Sequence, residues 1–349
     1  RPCYFSPYLE PDTVDKAFAT PEARAANAQF ISTYLSRYAN DPAFCRLGEV
    51  PLTNVYVTYD VPSETDEDFR AFLREKYGTV EALKARWIAL PGYEDQCLPA
   101  EEAPDSFDTI TLAPARPGTI AFADRQELRA RRLKEGWGGV REDVRTATGY
   151  DSRYTGDASE TIVSPVDYMN ALTGMSWYSF GYALTNPTRR PKLISEVAKY
   201  TGTTFLNTIS PGYVDRQQRW GGGRVEREPF LYPYAWVKAI QSLPEGIMIL
   251  THSEWFEGSI IDVTKEYGTR DYETTELYSS VFRNCFPSIY EQKRDREPVA
   301  VVLNEWATYG LDERGKALDD VYGLIKLLEC LNIECDVIPE SYLTLEELD

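Results

Sequence analysis

The sequence is poor in histidine and has no long apolar runs. Its 349 residues include one histidine, His252, and six cysteines at positions 3, 45, 97, 285, 330 and 335, with no Cys-x-x-Cys pair. This composition argues against a structural zinc site; free buried thiols are the default expectation, and one or two disulfides stay open. No stretch approaches the roughly 20 apolar residues of a membrane span, and no secretory signal is visible. The sequence opens on Arg1 without an initiator Met, so we expect it to start inside a longer polypeptide.

Positive charge is also scarce. The 37 basic residues face 55 acidic ones, for a net charge of −18, which argues against nucleic acid or an anionic membrane surface as the main partner. A neutral ligand such as a sugar is compatible with this balance, and so is acidity that serves only solubility. Hydrophobic residues make up 43% of the chain, which is enough for a sizeable core.

Apolar runs bounded by turn residues alternate with segments of helical period. The strand candidates are 3–5, 54–59, 175–182, 203–209 and 247–251, with weaker ones near 108–112, 118–122 and 152–157. Apolar residues at spacings of three and four predict helices within 22–38, 66–88, 191–200 and 233–242. This alternation predicts an α/β fold with a mostly parallel sheet.

Two regions depart from that pattern. Residues 89–150 are rich in proline and acidic residues in their first half, and the run 125–134 predicts a charged helix. We interpret the region as an insertion or excursion, a long loop over one mouth of a barrel. A polar stretch near 291–298 marks a boundary, so we divide the chain into 1–292 and 297–349. Beyond the boundary, a strand at 299–303, a helix at 316–331 and a strand at 335–338 predict the start of a small Rossmann-like unit.

The segment 251–258 reads Thr-His-Ser-Glu-Trp-Phe-Glu-Gly and follows the apolar run 246–250. In an α/β barrel the active site lies at the carboxyl ends of the strands, which is where this segment would fall. Glu254 and Glu257 are three residues apart, so only a bend or helical turn can aim both at one cavity, and Gly258 supplies a pivot. Two carboxylates beside aromatic rings suit sugar hydrolysis, one as acid and the other as base or nucleophile. Acidic residues after a strand are, however, most often solvated loop residues, and His252 could support the site without acting as an acid or base.

The same segment resembles the active-site motif of glycoside hydrolase family 99, the endo-α-mannosidase family, and of the related WbsX-type proteins. The family motif Asn-Glu-Trp-His-Glu-Gly-Thr-Gln-Ile-Glu corresponds here to Ser253-Glu-Trp-Phe-Glu-Gly-Ser-Ile-Ile-Asp262. Three more resemblances are collinear with it: Tyr38-x-x-Asp41-Pro-Ala-Phe-Cys-Arg46, Val55-Tyr-Val-Thr-Tyr-Asp60 and Ser210-Pro-Gly-Tyr-Val-Asp-Arg-Gln-Gln-Arg-Trp220. Ser6, Ser253 and Phe256 replace residues that contact the sugar or hydrogen-bond near it in the family.

The resemblance implies a (β/α)8 TIM-like barrel whose first two strands precede Arg1. It also implies a retaining mechanism through a 1,2-anhydro sugar, with Glu254 assisting deprotonation of the 2-hydroxyl and Glu257 protonating the leaving oxygen. A conventional retaining mechanism with a nucleophilic carboxylate stays open. We expect the sugar-binding wall to contain Tyr8, Tyr59, Asp60, Tyr213, Asp215, Arg219, His252 and Trp255. For each aromatic residue among them, plain core packing is an equal alternative.

Two stretches are similar to family 42 β-galactosidases. Residues 72–87 resemble a helix pair of that family, and the tail from Pro298 resembles the flavodoxin-like domain that follows its barrel. Asn304-Glu305-Trp306 imitates the acid/base signature of the same clan but lies in the tail, so we interpret it as a chance likeness.

The sequence therefore predicts a glycoside hydrolase that acts within a polysaccharide or glycan, retains configuration and uses Glu254 and Glu257. It implies no cofactor, no metal, no nucleic acid and no membrane span, with an extracellular or cell-surface location and self-association through the C-terminal domain as further expectations. One alternative is a carbohydrate-binding or structural protein on a decayed glycosidase barrel. Another is a WbsX-type polysaccharide-processing protein.

Overall fold

The computed structural model describes residues 8–9, 21–55, 64–92, 94–158, 165–177, 189–214, 224–225, 227–256, 258–292, 297–305 and 316–344. The strands are β1 (Tyr8–Leu9), β2 (Arg46–Leu47), β3 (Val50–Val55), β4 (Arg153–Ala158), β5 (Gly174–Trp177), β6 (Thr204–Ile209), β7 (Tyr213–Val214), β8 (Arg224–Val225), β9 (Gly246–Ile249), β10 (Ala300–Leu303) and β11 (Asp336–Pro339). The helices are α1 (Pro21–Tyr38), α2 (Asp66–Tyr77), α3 (Val80–Trp87), α4 (Ile120–Thr148), α5 (Pro165–Leu172), α6 (Arg189–Thr201), α7 (Leu231–Gln241), α8 (Arg270–Gln292) and α9 (Lys316–Cys330).

Six parallel strands form one curled sheet in the order β1-β3-β4-β5-β6-β9, and β2 pairs antiparallel with β3. At least one helix lies in sequence between each pair of consecutive parallel strands, as crossover connections between parallel strands require. A (β/α) barrel closes with eight such strands, so the described sheet is a partial TIM-like barrel, which confirms the predicted fold class. The strand β6 is buried along its whole length, as expected for a strand covered on both faces.

The helices α2 and α3 form because their ends carry strong local signals. Thr65 caps α2 in a capping box with Asp68, and Gly78 at φ +71° ends the helix. Phe69 is fully buried and lies against Trp87 of α3, with ring centroids 6.1 Å apart. Helical structure predicted within 66–88 is thus confirmed, as two helices separated at Gly78.

The region 89–150 is only partly a loop. Short 3-10 turns at Glu94–Gln96, Ala100–Glu102 and Phe107–Thr109 lead into the 29-residue helix α4, which packs against α1 and α5. The weak strand predictions near 108–112 and 118–122 are wrong. Thr119 caps α4 by accepting a hydrogen bond from the Phe122 amide at 3.1 Å, so the apolar run at 120–123 begins a buried helix.

The C-terminal residues form the predicted β-α-β arrangement, with β10 parallel to β11 and α9 between them in sequence. Val301, Leu303 and Val337 belong to the same hydrophobic cluster as residues of α1, α4, α5 and α6. Lys199 of α6 reaches the buried Asp336 at 2.8 Å. The boundary between 1–292 and 297–349 stays a prediction.

Two expectations from the composition concern the cysteines and membrane spans. Cys45, Cys97, Cys285, Cys330 and Cys335 are free, and of these only Cys335 is buried, whereas Cys3 lies outside the described residues. In the part of the chain that the structure describes, no helix is both long and apolar enough to cross a membrane.

Candidate active site

The candidate site is built on the loop 251–262, which leaves the carboxyl end of β9. The two ends of this loop are hydrogen-bonded to each other: the Thr251 amide donates to Ser259 O at 2.8 Å, and the Ile261 amide donates to Thr251 O at 3.0 Å. A further bond of 3.2 Å joins the Asp262 amide to His252 O. The central residues are therefore held out as a closed loop at the edge where the parallel strands end.

Glu254 lies at the first turn of this loop and is half-buried. Its amide donates to the Thr251 hydroxyl at 2.9 Å, so a side chain at the end of the strand fixes the backbone that carries the carboxylate. Trp255 closes a tight turn onto Ser253, and Gly258 adopts φ +60°. The described residues 253–256 thus form a turn. Glu257 itself lies outside the described residues.

Aromatic surface flanks Glu254. Trp255 is 48% exposed and Phe256 is 58% exposed, although large hydrophobic side chains are usually covered. His252 is exposed as well. An exposed aromatic face next to a half-buried carboxylate can stack on the apolar face of a sugar while the carboxylate handles a proton.

A second loop, which follows β6, lies against this one. The Ser210 hydroxyl and Gly212 form a tight buried turn, with 2.6 Å between Ser210 Oγ and Gly212 O. The short strand β7 then pairs antiparallel with β8. A Cβ placed on Gly258 would lie 3.3 Å from Val214 Cβ, so the structure brings β7, including half-buried Tyr213, beside the Glu254 loop.

The other predicted wall residues are less closely placed. Tyr8 lies on β1, at the opposite end of the strand order from β9, and pairs in register with Asn54. Tyr59, Asp60, Asp215 and Arg219 lie outside the described residues. Whether these side chains share one cleft with Glu254 stays a prediction.

The structure also shows a buried ion pair that the sequence did not reveal. Arg227 and Asp271 have side chains only 4% and 5% exposed, with Nη1 of the arginine 3.3 Å from Oδ2 of the aspartate. Burial lowers the pKa of the Arg227 guanidinium, and Asp271 opposes that effect. Nothing local distinguishes these two residues in the sequence, because a charged residue in a polar segment looks like a solvated one.

A separate carboxylate, Asp167 in the first turn of α5, has an unusual environment. Burial, together with the negative charges of Glu305 and Glu127, raises the pKa of Asp167 to about 7. Glu305 accepts a hydrogen bond from the Ser341 amide at 2.7 Å, so it caps the turn at 340–342. Within the described ranges, no group of three or more His, Cys, Asp or Glu side chains could hold a metal ion.

Comparisons with known proteins show the fold. No protein-family model matches the chain, and no curated protein matches it either. Among solved structures, β-galactosidase from Bacillus circulans sp. alkalophilus is similar with a TM-score of 0.65 and 16% identity, over 91% of this chain and 48% of that one. β-Galactosidase from the psychrophilic Marinomonas ef1 has a TM-score of 0.61 and 16% identity, over 93% of this chain and 54% of that one.

The chain thus spans about half the length of these β-galactosidases. A family 99 endo-α-mannosidase from Bacteroides thetaiotaomicron is 18% identical over 82% of this chain and 71% of that one, with a TM-score of 0.48 that is too low to carry an argument. At such identities the likeness shows the fold alone, a partial (β/α) barrel similar to that of the two β-galactosidases. The predicted membership of family 99 stays a prediction.

Proposed function

We propose that this chain carries the catalytic barrel of a glycoside hydrolase that cleaves a polysaccharide or glycan internally, with retention of anomeric configuration. Glu254 and Glu257 are the proposed catalytic residues. One observation supports this function above the others. A half-buried carboxylate, Glu254, lies on a hydrogen-bonded loop at the carboxyl edge of a parallel sheet, next to the exposed ring of Trp255.

The chemistry follows from the surroundings of Glu254. A general base or nucleophile has to keep its position while its carboxylate stays accessible to the substrate. The Thr251 cap and the pairing of the loop ends fix the backbone, and the partial exposure of Glu254 leaves room for a ligand. Trp255 and Phe256 supply exposed apolar surface, which a bound sugar would cover.

Two retaining mechanisms fit these residues. In the first, Glu254 assists removal of the sugar 2-hydroxyl proton, and Glu257 protonates the leaving oxygen and then activates water. In the second, one of the two glutamates attacks the anomeric carbon, which requires carboxylates about 5 Å apart. Both mechanisms need both glutamates, so the same pair of variants tests the function under either one.

The test is hydrolysis of a panel of neutral polysaccharides. The release of reducing ends measures the rate, and proton NMR identifies the first anomer formed. We expect the wild-type chain to release oligosaccharides with retained configuration from at least one glycan. Glu254→Gln and Glu257→Gln should each lower the rate by about 10³-fold, within the usual range for general acid–base groups. Glu266→Gln is the matched control, because Glu266 is an exposed glutamate that follows the same loop.

The outcome that contradicts this function is specific. A wild-type chain that binds a glycan in the panel but releases no reducing ends, with both glutamine variants binding equally well, would indicate a carbohydrate-binding protein on a glycosidase-type barrel.

A further inference from the structure

Arg227 is a permanently charged side chain that is almost fully buried beside the candidate site. Its side chain is 4% exposed, and burying an arginine without partners is strongly unfavourable. The structure provides three partners. Asp271 lies 3.3 Å from Nη1, the ring of Tyr267 lies beneath the guanidinium at 4.2 Å, and Nη2 donates to Ile260 O.

These partners belong to different segments. Ile260 lies on the returning arm of the loop that carries Glu254, one residue from the Ile261 amide that pairs with Thr251. Asp271 lies in the first turn of α8, where its negative charge is favoured by the helix dipole. The Arg227 guanidinium therefore connects the closing pair of the Glu254 loop to the start of a long helix.

The loop after β6 takes part through a close approach. A Cβ on Gly212 would lie only 2.5 Å from Arg227 Cγ, so the aliphatic part of the arginine passes directly over this glycine. Gly212 follows the Ser210 turn and precedes Tyr213. Arg227 thus contacts both loops that form the candidate site.

Asp271 is itself firmly placed. Its Oδ1 accepts from Arg270 Nε at 3.0 Å, and its carbonyl accepts from the Thr275 hydroxyl at 2.8 Å. Thr275 in turn lies 2.9 Å from the Tyr232 hydroxyl of α7, which is buried. A cation held by such an anchored carboxylate can transmit position to the loops that it touches.

We propose that Arg227 is the positioning residue of the candidate site. Through its contacts with Asp271, Ile260 O and Gly212, it fixes the position of the Glu254 loop relative to the loop after β6. The catalytic consequence rests on the proposed function, whereas the structural consequence does not. A forked guanidinium reaches Ile260 O and Asp271 together, and a lysine ammonium cannot match that geometry.

The position of the Glu254 loop can be followed without a substrate. The full chain is labelled with 5-fluorotryptophan, and the fluorine NMR resonance of Trp255 is identified as the one lost in Trp255→Phe. We expect Arg227→Lys, Arg227→Met and Gly212→Ala to shift or broaden the Trp255 resonance, because the loop samples several positions. The resonances of Trp87 and Trp137, which are buried in other parts of the core, should stay unchanged.

Arg270→Gln is the matched control. It removes an arginine that contacts the same carboxylate of Asp271 and that, among the described residues, forms no hydrogen bond or ion pair with the Glu254 loop, so the Trp255 resonance should stay in place. Gly212→Ala changes no charge, and its Cβ would meet the arginine stem at 2.5 Å before Val225 O at 3.1 Å, so it keeps the test open should Arg227→Met fail to fold. An unchanged Trp255 resonance in both Arg227→Lys and Gly212→Ala overturns the inference.

Kinetics on the best glycan of the panel provide the second readout. Misplacing a catalytic group by about 1 Å can cost roughly 10²-fold in rate, so Arg227→Met should lower kcat by about that factor with little change in KM. Arg227→Lys should recover part of the loss. If the wild-type chain hydrolyses no glycan, the proposed function fails, and the fluorine resonance alone still decides whether Arg227 positions the loop. A fall in kcat/KM that comes entirely from KM contradicts the positioning role.

Discussion

Two aspartates, Asp124 and Asp271, are buried in different regions of this molecule. Asp124 lies in the α2–α4 region, residues 64–148, and is 0% exposed. It accepts from Lys76 at 2.8 Å, from Tyr77 at 2.9 Å and from Trp87 at 2.6 Å. Asp271 is 4% exposed and faces Arg227 and Arg270. The first carboxylate joins three helices to each other, whereas the second joins a helix to the loops of the candidate site.

The difference shows how the same interaction serves two purposes. The donors of Asp124 all come from α2 and α3, which pack on α4, so the interaction sets the arrangement of helices. Asp271 accepts a hydrogen bond from Arg270 of α8 itself and forms an ion pair with Arg227 of the segment before α7, and the same arginine donates to Ile260 O. Substitution at Asp124 should therefore lower stability without changing activity, whereas substitution at Asp271 should lower activity in protein that is still folded.

The largest effect on stability is expected at Asp124. Asp124→Asn removes the charge that Lys76 faces and places an amide among donors, so the free energy of unfolding should fall by about 3–5 kcal/mol, as for other broken buried pairs. Glu127→Gln is the control, because Glu127 binds the same Lys76 from a side chain that is 42% exposed. That control should cost less than about 1 kcal/mol. Urea unfolding measures both, and the hydrolysis rate of folded Asp124→Asn should equal that of the wild type.

The next effect is on activity, at Asp271. Asp271→Asn leaves the Arg227 guanidinium without its counter-charge. The two loops that Arg227 contacts should then lose their fixed position relative to each other. We expect kcat to fall by roughly 10- to 100-fold in protein that is still folded, in line with the cost of small misplacements. Equal losses of kcat for Asp124→Asn and Asp271→Asn would remove the distinction between the two regions.

The third effect concerns a buried carboxylate with fewer partners. Asp167 Oδ2 is buried and, among the described residues, has no hydrogen-bond donor, and burial raises the pKa of Asp167 to about 7. A carboxyl whose pKa is higher in the folded state than in the unfolded state stabilises the fold when protonated. Its contribution is therefore complete below about pH 4 and is lost as the pH rises to about 7.

The matching variant is Asp167→Asn, which stays neutral at every pH. The wild type should lose on the order of 2 kcal/mol of unfolding free energy between pH 4.5 and pH 8 relative to this variant, after allowance for the partial exposure of Asp167. Parallel urea titrations at several pH values measure the difference. Identical pH profiles for the two proteins would show that Asp167 is ionised in the folded chain at low pH.

The smallest effect is expected at Trp255. Trp255→Ala removes an exposed ring that we propose to stack on the sugar, which should raise KM about 5- to 10-fold, the equivalent of one aromatic contact. Phe30→Ala is the control, because Phe30 is 58% exposed on α1 and lies outside the candidate site. A KM that changes equally in both variants would argue against stacking on Trp255.

The sequence predicted those features whose causes are local. Apolar spacing located the helices within 66–88, and the apolar run before Thr251 located β9 and the loop after it. The strand predicted near 118–122 was wrong because every residue in the apolar run at 120–123 is buried. A continuous apolar stretch shows no alternation by which a strand could be told from a helix.

The long-range features could not be predicted in the same way. Arg227 and Asp271 lie far apart in sequence, and only the fold brings them to within 3.3 Å. The same holds for the contact between Gly212 and the arginine stem, since glycine in a Pro-Gly-Tyr segment indicates a turn and no more. Local chemistry thus predicted where the candidate site begins, and packing between distant segments determines what holds it.

The most direct test of the central proposal is the ratio of two hydrolysis rates on the best glycan of the panel, Glu254→Gln against Glu266→Gln. Both variants replace one glutamate by its neutral isostere within the segment that follows β9. We expect the first to be slower than the second by about 10³-fold, as for the loss of a general acid or base. Equal rates would contradict a catalytic role for Glu254.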